Sequence, residues 1–332
     1  MTRFLIGVTG AGSILLGAAG GPLTGVAAAQ GYAAQGDARS GKALVAPAIA
    51  GVTKADTRIE VIREGFNGTE GPVALDDGSI LFTENRADKI VRIAPDGTIS
   101  TYADHVGGAN ALAVGAKGDL YAAQTQPSAI AILKPTAKII AKDYKGKAFN
   151  RPNDLVLAHT GNVYFTDPGA APQPGSPPAA TAVYRVNPRG RVTLIADDIA
   201  RPNGIALSPD ERTLYVANTA GDRLLAFTVR ADGSAADRRD FAQLQLPPEP
   251  AGSTASGADG IVVDADGRVY VATRIGVQIF AADGRKLGVI ALPNAPQNLA
   301  FGGGDRSRLF VVGRGAVYRI ATLAKGIARP GK

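Results

Sequence analysis

The chain has 332 residues, 45% of them hydrophobic and 20% charged, with a net charge of +7. That balance describes a folded domain and excludes a disordered or polytopic membrane chain. Lysine and arginine are scattered without a basic run or interleaved aromatics, which argues against a nucleic-acid groove; the absence of cysteine excludes disulfides and a lipoprotein anchor.

The first 29 residues have a layout of their own. Arg3 gives a positive start, "FLIGVTGAGSILLGAAGG" is apolar and small, and "GVAAAQ" offers an Ala-x-Ala site with cleavage after Ala29. This predicts a secretory signal peptide and a periplasmic or secreted protein. A transmembrane anchor is the weaker reading, because glycines dilute the apolar run and no charged stop-transfer segment follows. Residues 30–56 are rich in Ala, Gly and Gln without periodicity and are expected to be a flexible leader.

From residue 57 onward short alternating segments are separated by Gly, Asp, Asn and Pro, an all-β pattern. A phrase of small-polar, aliphatic and aromatic residues recurs, ending at Phe82, Tyr121, Tyr164, Tyr215, Tyr270 and Phe310, with gaps of 39, 43, 51, 55 and 40 residues. Six units of about four strands predict a six-bladed β-propeller over 57–325, with 326–332 as a tail. The sixth unit lacks an outer strand, and "TRIEVIRE" at Thr57 to Glu64 is predicted to supply it and close the ring.

Inner strands that start at one end of the disc place their first residues around the mouth of the central channel. Those positions are Glu70, Asn110, Asn153, Asn203, Asp259 and Asn298, and each carries a side-chain oxygen. Converging oxygens without His or Cys describe a site for a hard divalent cation; the competing reading is a set of Asx-type turn caps bonded to backbone. The phrase Arg-Pro-Asn occurs twice, followed by Asp154 in the first copy and by Gly204, read as a turn residue, in the second.

At these residues the sequence resembles the SMP-30/gluconolactonase (regucalcin-like) family. The matching phrases are "EGPVALDDGSILFTE", "RPNDLVLAHTGNVYFTDP", "RPNGIALSPDERTLYVANT", "GADGIVVDADGRVYVAT" and "NLAFGGGDRSRLFV", which together span nearly all of residues 57–322. The resemblance implies hydrolysis of sugar lactones, typically glucono-1,5-lactone. It also implies one divalent metal at the channel mouth, calcium by preference with magnesium or zinc as alternatives. Carried over residue by residue, it implies metal ligands at Glu70, Asn203 and Asp259, with Asn153 reaching the metal in some relatives. Arg151 and Asn153 match the family's substrate-side residues, and Asp154 matches the aspartate that follows them.

In chemical terms, Asp259 is the candidate general base or nucleophile, with Asn153 beside it at the reacting centre. Arg151, Asp154 and Asn110 are the candidate substrate contacts, although Arg151 and Asp154 also form a candidate ion pair. Second-strand ends are expected to add Glu84, Asn85, Gln124, Asp167, Asn218 and Arg274 to the wall. His105 lies on the mouth face as a competing base; His159 lies in a turn on the opposite face. Two insertions, 168–181 and 247–258, are expected at the mouth, where they serve either as lids or as plain surface loops. The partner expected is a small-molecule lactone, with the protein a monomer. A phosphotriesterase or other esterase of the same fold and a non-catalytic binding propeller are the alternatives.

Overall fold

The structure is a computed structural model that describes residues 43–170, 180–248, 251–327 and 331. The segment 1–29, expected to be a signal peptide, and the body of the first insertion therefore lie outside the described residues. Every regular element described is a β-strand, and six antiparallel sheets form the blades of a propeller. In the first five blades the spatial order of strands equals the chain order, as successive hairpins require. A two-stranded hairpin, Asp143–Tyr144 with Lys147–Ala148, sits between the second and third blades.

The sixth blade is closed across the chain. Thr57–Arg63 pairs antiparallel with the last strand, Ala316–Ala321, matching Ile59 to Ile320 and Val61 to Tyr318. Arg319 adds a bidentate contact to Glu60 at 2.8–3.0 Å. The predicted closure is thus present, and it satisfies what would otherwise be an open edge.

Hydrophobic side chains collect in six clusters, and each bridges neighbouring blades. The recurring aromatic residues of the sequence repeat fall in these seams: Phe82, Tyr164, Tyr215, Tyr270 and Phe310 are buried, and Tyr121 packs against the seam between blades two and three. The period of the sequence is therefore the period of inter-blade packing. Where a tyrosine is fully enclosed its hydroxyl finds a partner, Tyr164 on the Gly233 carbonyl and Tyr270 on the Asp264 carboxylate.

The leader is shorter than the composition suggests. Val45–Ala46 adds a fifth strand outside Thr57–Arg63, and Ala46, Ile49 and Val52 are buried in the seam between blades five and six. Thr53 turns the segment, donating its hydroxyl to the Pro47 carbonyl at 2.7 Å. Three apolar anchors spaced by three, broken by a proline, match neither a helical nor a strand template, so the pattern alone reads as leader. The tail is docked as well: Gly326 pairs with Asp264, and Gly331 exchanges two backbone hydrogen bonds with Val114.

Candidate active site

The six inner strands begin at one face, as the topology predicts. They are Glu70–Ala74, Ala109–Val114, Leu155–Leu157, Pro202–Leu207, Ile261–Val263 and Asn298–Gly302. A cavity of about 950 Å³ opens there, and Glu70, Asn110, Asn153, Asn203 and Asp259 all line it. Five of the six predicted mouth residues thus share one wall. Asn298 lies beneath it, almost fully buried, and its amide donates to Glu70 Oε2 at 3.3 Å.

The two Arg-Pro-Asn segments are held by one device. At the end of the second strand of blade three, the Asp167 carboxylate accepts from the Asn150 and Arg151 backbone N–H groups at 2.8 and 2.6 Å. In blade four Asn218 accepts from the Arg201 N–H at 3.1 Å. Burial pushes the Asp167 carboxyl above its ordinary range, against the lowering effect of those backbone donors.

Glu84 and Gln124 act alike. Glu84 accepts from the Asn67 N–H at 2.6 Å and Gln124 donates to the Val106 carbonyl at 2.8 Å. Of the six second-strand ends expected on the wall, only Asn85 lines the cavity; Arg274 lies against Gly257 instead. Glu84, Gln124, Asp167 and Asn218 are consumed in fixing the crossing that precedes their own inner strand.

Threonines then tie three of the blades to the next. Thr83 donates to the Asn110 carbonyl at 2.8 Å, Thr166 to the Asn203 carbonyl at 2.6 Å, and Thr219 to the Ala258 carbonyl at 2.6 Å. Glycines set the spacing: a Cβ on Gly204 would lie 2.1 Å from the Asp259 carbonyl oxygen, and one on Gly71 would lie 2.3 Å from Ala111 Cα. Gly204 is therefore a close-approach residue, and the turn expected there is corrected by its place inside Pro202–Leu207.

This scaffold aims specific oxygens. The hydroxyl proton of Thr219 is spent on Ala258, so its oxygen accepts from Asn203 Nδ2 at 3.1 Å. That fixes the orientation of the Asn203 amide and leaves Oδ1 buried with no hydrogen-bond partner among the described residues. Glu70 is held by Gln297, which donates to Oε1 at 2.9 Å, and by Asn298. Gln297 in turn accepts from the Arg314 N–H at 2.8 Å. Asp259 is half-buried, with its backbone N–H on the Ala272 carbonyl at 2.9 Å.

Asn110 is committed between blades, donating to the Asn153 carbonyl at 3.0 Å and accepting from Asn85 at 2.9 Å. Arg151 is exposed on the rim. Asp154, expected to touch substrate, is fully buried and off the cavity wall, with Oδ1 accepting from the Leu155 N–H at 2.8 Å. It therefore lies beneath the wall, next to Asn153, and does not face the cavity.

The histidines stay outside. His105 is 96% exposed and does not line the cavity, and His159 Nδ1 lies 2.9 Å from Glu211. These three threonines were visible in the sequence in "LFTE", "YFTDP" and "YVANT", but their partners lie a blade away. Gln297, Arg86, Arg201 and Arg314 carried no comparable signal.

An orphaned amide oxygen beside two carboxylates and a further amide fits a hard cation. Among the described residues no group of three or more His, Cys, Asp or Glu side chains could hold a metal, so amides would have to supply part of any cation's ligand set. Such a neutral-rich oxygen set suits calcium better than zinc.

A six-bladed propeller with an oxygen-lined mouth is the class that fold and site define. The model of the SMP-30/gluconolactonase/LRE-like region matches residues 68–314, and the chain belongs to that family. It is 31% identical over 308 residues to the gluconolactonase of Zymomonas mobilis, covering 84% of this chain and 85% of that one. A gluconolactonase structure from Xanthomonas campestris superposes with a TM-score of 0.72 at 29% identity, covering 87% of this chain and all of its own. The calcium-binding regucalcin structure from Agrobacterium tumefaciens, at 22% identity and a TM-score of 0.67, covers 81% of this chain and 94% of its own and shares the fold.

Proposed function

We propose that the mouth hydrolyses lactones of sugar acids, with one divalent cation, calcium by preference, held among Glu70, Asn153, Asn203 and Asp259. The orphaned Oδ1 of Asn203 carries this reading, because a buried amide oxygen without a donor costs about 1–3 kcal/mol unless a ligand supplies one. The similarity to the Zymomonas and Xanthomonas gluconolactonases supports the reaction class.

When bound, the cation supplies Lewis acidity and stabilises negative charge on the lactone carbonyl oxygen. The residues of the chain do the rest. Arg151 and Asn153, both on the cavity wall, orient the ring hydroxyls. Asp259 takes a proton from the attacking water; the same position also suits direct attack as a nucleophile. Water oxygen bonds to the carbonyl carbon, the ring C–O bond breaks, and the departing ring oxygen takes up a proton, giving the open hydroxy acid.

Acid release from glucono-1,5-lactone, with and without chelator, tests the reading in wild type and Asp259→Ala. Chelator-sensitive release that falls at least 100-fold in the variant is expected. Activity on a phosphotriester alone would replace the substrate class, and no activity on either would leave a binding propeller.

We further propose that the protein is exported as a monomer after cleavage behind Ala29. The mass of the mature chain recovered from the periplasm or medium tests this.

A further inference from the structure

Arginines crowd the same mouth. Arg86, Arg151, Arg201 and Arg314 all line the cavity, against three carboxylates, Glu70, Asp88 and Asp259. They come from four blades. Arg86 follows the second strand of blade one, Arg314 follows that of blade six, and Arg151 and Arg201 precede the inner strands of blades three and four.

Some arginines elsewhere have their charge balanced on the protein itself. Seven arginines, at 92, 223, 230, 238, 268, 306 and 319, stand in ion pairs with Asp or Glu. None of the four at the mouth belongs to an ion pair among the described residues. Two of the three opposing carboxylates, Glu70 and Asp259, sit at the inner-strand starts, where the proposed cation would occupy them. The third, Asp88, accepts from the Gly108 N–H at 2.7 Å. What remains at the rim is guanidinium, a planar donor suited to carboxylate and phosphate oxygens.

We infer that the preferred substrate is an anionic lactone, carrying a carboxylate or phosphate remote from the reacting carbonyl, and that Arg86, Arg201 and Arg314 recognise that group. The inference rests on the lactonase reading above and narrows it. A neutral sugar lactone reaches the same catalytic residues, but leaves three guanidinium groups in water. The discrimination therefore falls mainly on KM, and salt weakens it, because most of the rim is exposed.

The test compares kcat/KM for glucono-1,5-lactone, 6-phosphoglucono-1,5-lactone and glucaro-1,4-lactone at low ionic strength, in wild type and an Arg86→Gln, Arg201→Gln, Arg314→Gln triple variant. Arg230→Gln, which breaks a surface pair with Asp237, serves as control. At least one anionic lactone is expected to exceed the neutral one about tenfold. That ratio should shrink toward one in the triple variant and in 0.5 M salt (on the order of a 4 Å screening length), and persist in the control.

A larger effect for the phosphorylated or the carboxylated lactone identifies the source of the charge. Equal or better turnover of the neutral lactone, or a ratio the triple variant does not move, overturns the inference and leaves the lactonase reading intact. If no lactone is opened, that reading fails instead. Calorimetric binding of 6-phosphogluconate, glucarate and gluconate then decides the inference by the same ratio: at least one of the two more highly charged acids must bind about tenfold more tightly than gluconate, and the triple variant must remove the difference.

Discussion

Replacing Gly204 by alanine tests the argument that inner-strand packing sets the distances between the mouth oxygens. The new Cβ would stand 2.1 Å from the Asp259 carbonyl oxygen and 2.8 Å from both the Cα and carbonyl carbon of Gly260. All three are backbone atoms, so no side chain can swing aside. Ordinary contact begins near 3.4 Å, and the starts of blades four and five must therefore part by about 1 Å.

Overpacking of this kind costs about 1–3 kcal/mol, or about 2–10 °C in Tm for a domain of this size. The larger effect is chemical. Asn203 and Asp259 flank that contact, and a displacement of about 1 Å at a reacting centre costs about 100-fold in rate. Circular dichroism, thermal melts and acid release from glucono-1,5-lactone would be measured together, and calcium-induced stabilisation by melts with added calcium. Gly304→Ala is the control, since nothing lies within 4 Å of its added Cβ. A Gly204→Ala protein with wild-type Tm, calcium response and kcat/KM would refute the reasoning.

Three further outcomes follow from contacts away from that seam. A chain starting at residue 55 loses the buried Ala46, Ile49 and Val52 and should be destabilised by about 2–4 kcal/mol in urea melts, whereas one starting at residue 43 should match one starting at residue 30. Thr166→Val strips the donor from the Asn203 carbonyl and should cost about 1–3 kcal/mol, with Thr166→Ser restoring most of it. In Asp167→Asn only one oxygen remains to serve the Asn150 and Arg151 N–H groups, so KM for lactone should rise several-fold while the melting transition stays cooperative. An unchanged KM would remove Asp167 from the support of the substrate side.

Much of the fold was legible in the sequence because blades repeat. The aromatic phrase ending at Phe82, Tyr121, Tyr164, Tyr215, Tyr270 and Phe310 marks one packing seam per period, and a missing sixth outer strand pointed back to Thr57 onward. Glu70, Asn110, Asn153, Asn203 and Asp259 were legible for the same reason, since equivalent positions in successive repeats meet at a shared axis. The docking of Ala46, Ile49 and Val52 was not, because an irregular segment that fills a seam carries no period.

By itself, then, the sequence determined what repetition encodes: the number of blades, their closure and the ring of oxygen-bearing residues around one mouth. Only the tertiary structure decided how each of those residues is used. Asp154 and Asn298 sit one step behind the wall, Gly204 is a spacer between strands, and Asn203 is oriented by Thr219 from its own blade and Ala258 from the next. The Arg86, Arg201 and Arg314 side chains meet at one cavity from three blades, two from just after a second strand and one from just before an inner strand. The physical reason is common to all of them. Roles at the mouth are fixed by hydrogen bonds and close contacts across neighbouring blades, joining residues tens of positions apart at no regular spacing.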